Sequence, residues 1–433
     1  MNNKRGDYPR VLVISHNVFS KNTCMGKTLD TYFSGWDSNA LAQLYFHSEV
    51  PTDDVCKDYY QFTDVDAIKS IVARHHSGRV LTEKSVCLDR IDATDTKALT
   101  GVYNFGRART PLIYFCRDGI WKFSAWKSKL LFQWIDDFSP DVIFFASGDY
   151  SFSYRIAEYV SEYCKKPLVI CCFDDYYLYN KNEGSFLGRI RQEQYMKTVV
   201  KTIKKATCVL TVNDMMSEAY TQLFHKKCPI IYTATNVKPK QTEKSGISYI
   251  GGLGLKRYDQ LIEIAKALNE IDDPRVPKHI DLYTGENKPS ILEKIKNEKN
   301  IFFHGAIGGN EVAEKIQGSK AVIHTESFDP IVRQRVKYSL STKIPDSIAS
   351  GTCLLAYGPR EVASIDYLVR NDVAFVATSR DELRKTILRL FTDEKEYNRI
   401  ATNALSLANK NHDSERITRY FRLLLCEAAG IKS

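Results

Sequence analysis

The chain has 433 residues, of which 43% are hydrophobic, 26% charged and 12% aromatic, with a net charge of +9. That length exceeds what one hydrophobic core supports and predicts two domains, and the composition excludes a disordered or low-complexity chain. The longest apolar runs, such as Val11-Leu12-Val13-Ile14 and Val142-Ile143-Phe144-Phe145-Ala146, have strand length, far below the roughly 18 residues of a membrane span. The opening MNNKRGDYPR has no apolar segment after its basic residues, as a secretory signal would need. The 11 cysteines are scattered, none forms a CxxC pair, and Cys171, Cys172 and Cys353 sit in apolar runs. This usage fits a reducing cytoplasm better than a disulfide framework or a zinc site. The basic excess calls for an anionic partner, which could be a nucleotide, a membrane surface or a nucleic acid.

Arg10 to Ser15 is a first buried strand, with His16 at its end. After a polar loop, Gly26 opens a helix that runs from Lys27 to about Trp36. Gly26-Lys27-Thr28 resembles the end of a phosphate loop, but the Walker pattern needs a glycine where Lys21 stands. Gly26 and Lys27 are therefore placed at a ligand cleft beyond the first strand. Leu41 to Phe46 is a second strand. Asp64-Val65-Asp66 is either an acid pair for a divalent cation or the cap of a helix starting at Ala67. Residues 117–138 form one expected helix, with Phe123, Trp126, Leu130 and Trp134 on a stripe. The stripe is either core or, with Lys122 and Lys129 behind it, a face for a membrane or a lipid-linked acceptor.

The strand starting at Asp141 ends at Ser147-Gly148-Asp149, and the strand from Pro167 ends at Asp174-Asp175. Functional groups collect beyond the carboxyl ends of parallel strands. His16, Asp149, Asp174 and Asp175 are candidates on that ground, with helix capping as the alternative for each. A basic helix over 189–206, the strand Cys208 to Val212, a helix from Asp214 to Phe224 and a last strand Pro229 to Tyr232 follow. Residues 1–237 thus read as a doubly wound α/β domain.

Residues 238–246 are polar, lack apolar periodicity and form the linker. The same style restarts over 247–412. Strand Ile247 to Ile250 leads into Gly251-Gly252-Leu253-Gly254 and then Lys256-Arg257. The glycines let backbone approach a ligand closely, and the basic pair can meet a diphosphate. Strands Ile280 to Tyr283, Ile301 to Phe303 and Ala321 to His324 end beside Gly285, His304-Gly305 and Glu326. Ser341-Thr342-Lys343 and Pro345-Asp346 open a short helix that stops at Gly351, before the strand Cys353 to Tyr357. Free N–H groups, a hydroxyl and a lysine there suit a phosphate, and Asp346 can accept from ribose hydroxyls. The alternative is an ordinary βα unit with solvated polar groups. Strand Val373 to Ala377, a capping box of Ser379 and Glu382, and a basic, aromatic last helix over 413–430, placed against the first domain, complete the chain.

This layout resembles the GT-B glycosyltransferases, especially the retaining family 4 group, over about residues 247–378. The carrying elements are Ile250-Gly251-Gly252-Leu253-Gly254-Leu255-Lys256-Arg257, Asn300-Ile301-Phe302-Phe303-His304-Gly305-Ala306, and Asp346 to Gly351 followed by Leu354 to Gly358. The resemblance implies two Rossmann-like domains facing across a cleft and transfer of a sugar from a nucleotide diphosphate to a saccharide or lipid-linked acceptor. It implies a donor site of Gly252, Gly254, Lys256, Arg257, Gly285, His304, Gly305, Ser341, Thr342, Lys343 and Asp346, with no metal or other cofactor. Glu326 lies toward the sugar end. The family pairs two glutamates with seven residues between them; here the second place is Asp346 and the first is Tyr338, which leaves Glu326, Asp329 or Arg333 as substitutes. The expected setting is the cytoplasm, with peripheral contact at the inner membrane face, in cell-surface polysaccharide synthesis. No nucleic-acid-binding motif is present. A sugar-nucleotide epimerase or an idle binding subunit of the same fold are the alternatives.

Overall fold

The computed structural model describes residues 8–21, 24–72, 78–81, 111–179 and 186–431. Their contacts separate into two compact units. The first holds the described chain up to Val212, Ser217–Ile231 and the segment from Thr418; the second holds Asn213–Met216 and Tyr232–Ile417.

The first unit carries a seven-stranded sheet in the order β4-β3-β2-β1-β5-β6-β7. Its strands are β1 (Val11–Ser15), β2 (Leu41–Tyr45), β3 (Asp58–Gln61), β4 (Arg79–Leu81), β5 (Val142–Ser147), β6 (Leu168–Cys172) and β7 (Cys208–Thr211). All neighbours run parallel except β3 and β4. Helices cover both faces of such a sheet, so β1 and β5 are buried along their whole length and appear as unbroken apolar runs.

Several local readings are changed or settled by the structure. Strands β3 and β4 were not legible, because Asp58-Tyr59-Tyr60-Gln61 shows neither alternation nor an apolar run. The expected helix over 117–138 is two helices, Pro111–Phe123 and Lys129–Phe138. Ser128 takes an extended conformation between them and its hydroxyl accepts the Leu131 N–H at 3.1 Å. The stripe is thereby broken: Trp134 is buried and donates to Asp58 Oδ1, whereas Phe123 and Leu130 are exposed. Pro229 to Tyr232 reduces to one bridge between Thr211 and Ile230, and the helix holding Gly26 already begins at Cys24. Asp64 and Asp66 are cap and anchor. Asp66 Oδ2 accepts the Thr63 N–H at 2.8 Å, and Asp64 Oδ1 accepts from Arg117 and Trp121.

The second unit carries six parallel strands in the order β10-β9-β8-β11-β12-β13. They are β8 (Ser245–Ile250), β9 (Ile280–Tyr283), β10 (Ile301–Gly305), β11 (Ser319–Thr325), β12 (Cys353–Tyr357) and β13 (Phe375–Ala377). Its core falls into two clusters, one with Tyr249, Leu261 and Leu355, the other with Ile344, Ile348 and Leu354. Leu354 and Leu355 are consecutive on β12 and therefore face opposite sides, which is the signature of a doubly wound sheet. Of the expected capping box the Ser379 side chain makes no cap hydrogen bond, and Glu382 instead accepts the Thr378 N–H at 2.8 Å. Among the described residues no helix is long and apolar enough to cross a membrane.

Candidate active site

The order of the second sheet reverses between β8 and β11, and a cavity of about 270 Å³ opens there. Gly251, Gly252, Arg257, Gly285, Ser341, Lys343 and Asp346 line it, opposite an apolar wall that includes Ala306, Ile307 and Val312. Six of the predicted donor residues, far apart in the chain, thus meet around one volume.

Lys343 reaches the cavity across Gly251. Gly251 has φ +146°, and a β-carbon on it would lie 1.7 Å from Lys343 Nζ. Only glycine leaves that path open. Lys343 stands at the N-cap of the helix Ile344–Ala349, which is six residues long and carries Pro345 in its first turn. So short a helix has little dipole, and the lysine charge is what this end presents to an anion. Asp346, in the first turn, accepts from Thr235 Oγ1 at 2.5 Å. Ser364 Oγ accepts the Ser341 N–H and donates to the Ser339 carbonyl, each at 3.0 Å, so the segment before Lys343 is pinned.

Arg257 is the second cation at the cavity. Glu326 grips its Nη2 with both carboxylate oxygens at 3.1 Å, and His324 Nε2 lies 3.4 Å from Glu326 Oε1. Glu326 is 2% exposed. Burial pushes its carboxyl up, but the His324 contact and the Arg257 charge outweigh it and hold the group below the usual range. The partner shift agrees: burial lowers the Arg257 guanidinium, and Glu326 more than restores it. Gly358 lets the end of β12 close on this carboxylate, since a β-carbon there would sit 2.9 Å from the Glu326 carbonyl oxygen. Glu326 does not line the cavity; it holds Arg257 in place at the wall.

The other predicted donor residues lie off the lining. Lys256 has a left-handed backbone (φ 55°) and its ammonium pairs with Asp329 at 2.5 Å. Gly254 and Thr342 contribute nothing to the wall. His304 pairs with Asp281 at 2.7 Å and stacks on Tyr283 at 4.7 Å. The Gly305 carbonyl accepts the Thr284 N–H, which closes the strand ends below the cavity. Tyr338 contributes its carbonyl to Asn213, Asp329 caps the helix Pro330–Val336, and Arg333 pairs with Glu361. Tyr249, Tyr283 and His324 also line the cavity but were not singled out from sequence, because a strand-end aromatic looks like core until its register is known.

In the first unit, His16, Asp149 and Asp174 follow the carboxyl ends of β1, β5 and β6, three neighbouring strands. The His16 ring lies 4.8 Å from Tyr150, and Asp149 accepts from Tyr114 at 2.7 Å. Asp174 accepts the Asp175 N–H. Asp175 is buried and takes the N–H groups of Tyr177, Leu178 and Tyr179 together with the Tyr220 hydroxyl. It organises its loop. Gly26 is buried in its helix and Lys27 is exposed on it.

Residues 264–422 match the family model described as glycosyl transferase-like. HepE of Anabaena, solved in complex with UDP, superposes with a TM-score of 0.61 at 13% identity, covering 96% of this chain and 100% of that one. The chain has the GT-B glycosyltransferase fold. Sucrose-phosphate synthase of Thermosynechococcus elongatus is similar at a TM-score of 0.58 and 12% identity, with 96% and 98% of the two chains covered. Trehalose 6-phosphate synthase of Burkholderia multivorans reaches 0.61 at 10% identity, with 98% and 97% covered. No curated protein matches the chain. The GT-B cavity described above lies at the sheet reversal of the unit that the family model matches.

Proposed function

We propose that this GT-B chain is a nucleotide-sugar-dependent, retaining glycosyltransferase with its donor diphosphate between Lys343 and Arg257. The observation that carries this reading is the pair of cations on one cavity at the β8–β11 reversal, with the Lys343 ammonium lying in the space that a side chain at Gly251 would take. The glycosyl transferase-like match and the UDP complex of HepE support it.

The chemistry follows from charge. Cleaving the bond between the anomeric carbon and the diphosphate leaves positive charge on the sugar and negative charge on the leaving group. Fixed cations at that position stabilise the departing oxygen without a metal. The acceptor hydroxyl attacks from the face the diphosphate leaves, the glycosidic bond forms, and a diphosphate oxygen takes the proton. Glu326 keeps Arg257 aimed at the wall. Asp346, in the same cavity, is placed for ribose hydroxyls. The acceptor is a saccharide or lipid-linked saccharide of cell-surface polysaccharide synthesis. Exposed Phe123 and Leu130, beside Lys122 and Lys129, support peripheral contact with the inner membrane face.

Binding of UDP, GDP, ADP and their sugars is measured by calorimetry with and without magnesium, on the wild type and Lys343→Ala. One diphosphate is expected to bind without magnesium and to weaken about 10- to 100-fold in the variant, the effect of one charge-assisted hydrogen bond. Binding by none of them would remove the donor site. Binding without transfer or hydrolysis of the sugar would leave a nucleotide-binding subunit instead of an enzyme.

A further inference from the structure

A second cavity, of about 370 Å³, opens on the second unit beside the helix Ala363–Asn371. Asn213, Asp214, Tyr232, Tyr367, Arg370 and Lys410 form its walls, and none of them lines the first cavity.

Its charges cancel. Arg370 Nε pairs with Asp366 at 2.5 Å, and Asp214 accepts from the Tyr232 hydroxyl at 2.9 Å. Lys410 is exposed and has no ion-pair partner among the described residues. Two cations thus stand against the carboxylates of Asp214 and Asp366. The Tyr232 and Tyr367 rings lie 5.9 Å apart and give the walls an apolar component. An anion would meet the two carboxylates. An apolar ligand would strand the amides, the guanidinium and the ammonium without water. The ligand that matches is uncharged, donates and accepts through many hydroxyls, and has C–H faces for the rings. That is the chemistry of a saccharide.

The base of this cavity is preformed. His412 is fully buried, and its Nδ1 lies 2.7 Å from the Thr233 carbonyl, which can only accept. Nε2 is therefore the acceptor for the Tyr367 hydroxyl at 2.8 Å, and Asn411 Nδ2 donates to the same oxygen at 3.1 Å. The walls also reach the first site. Asn213 Nδ2 donates to the Tyr338 carbonyl and the Ala363 N–H to the Lys337 carbonyl, each at 2.7 Å. The segment held there runs directly into Ser341 and Lys343 of the first cavity.

We propose that this second cavity binds an uncharged saccharide at a site separate from the nucleotide cavity. Glucose, N-acetylglucosamine and maltose are titrated onto the full chain, wild type and Arg370→Ala/Lys410→Ala, by saturation-transfer NMR and calorimetry, with UDP as the control ligand. At least one sugar is expected to bind the wild type and to weaken tenfold or more in the variant (about 1.4 kcal/mol), while UDP affinity stays unchanged. Should the double variant melt lower, Lys410→Glu alone, at an exposed position, gives the same comparison. Binding of none of the three sugars, or binding that survives both variants, overturns the proposal. If UDP does not bind the wild type, the donor-site reading fails and the sugar titration still decides this one.

Discussion

Lys343 and Gly251 form one device: the ammonium occupies the space a side chain at 251 would take. Gly251→Ala should therefore weaken nucleotide binding as Lys343→Ala does, by displacing the lysine. The double variant should bind no worse than the weaker single, a non-additivity that calorimetry on the four proteins would read directly. Independent effects that simply add would show that the glycine matters for some other reason. Glu326→Ala has a different cost. It leaves the partly buried Arg257 charge without its carboxylate, which should destabilise the second unit by roughly 1–3 kcal/mol. Denaturant unfolding measures this. What was legible at this scale was local: the glycine loop, the basic pair and the Ser341 to Asp346 stretch are short motifs. Which member of the basic pair faces the cavity was not, because it turns on a left-handed backbone at Lys256 and on a carboxylate 69 residues beyond Arg257.

Among the elements, the thirteen strands of the described residues carry the same lesson. Every strand of the second sheet was visible, since each holds a short apolar stretch bounded by turn residues, although Phe302 and Phe303 of the edge strand β10 are exposed. β3 and β4 were not: β3 is mostly buried but is built from an acid, two tyrosines and a glutamine, and β4 at the edge is only three residues long. The break at Ser128 was hidden in a region whose composition suits helix throughout. Two titratable groups, the half-buried Asp30 and the buried His412, give the units opposite responses to pH. In the first unit, burial and then the neighbouring Asp53 push the Asp30 carboxyl up to about 7 from 3.8. The folded state keeps that proton after the unfolded chain has lost it, so stability falls as pH rises through 4 to 7. Asp30→Asn should flatten this slope. In the second unit, burial pushes His412 down to about 4 from 6.5. The unfolded chain takes up the proton first, so stability is lost as pH falls from 6.5 toward 4, by roughly 3 kcal/mol if the whole shift is expressed. Replacing His412 with Gln should remove that acid limb. Calorimetric melts across pH 4 to 8 would show both slopes, and slopes of the same sign in the two transitions would contradict the assignment.

Across the whole molecule, the four tryptophans, Trp36, Trp121, Trp126 and Trp134, all belong to the first unit. Tryptophan fluorescence therefore reports that unit alone, and calorimetry reports both. Phe421, on the last helix, packs within 6.5 Å of the rings of Tyr32, Phe33, Trp36 and Phe144. Phe421→Ala should cost the first unit roughly 3–5 kcal/mol and lower the fluorescence transition by about 10 °C, with the second calorimetric transition unmoved. A shift of both transitions by the same amount would mean that the two units melt as one. The basic, aromatic composition of the last helix was legible. Its exact seat among four aromatic rings was not, because that depends on packing between the two ends of the chain.

That seat has a consequence for how the protein is made. The ribosome delivers Phe33, Trp36 and Phe144 long before Phe421, with the whole second unit in between. Until Phe421 leaves the ribosome, the first unit carries an aromatic recess with nothing in it. The second unit, complete by Ile417, can close on itself while its C-terminal neighbour is still in the exit tunnel. The half that begins the chain is thus the last to finish folding, and a nascent chain stalled before Thr418 should present this recess to chaperones.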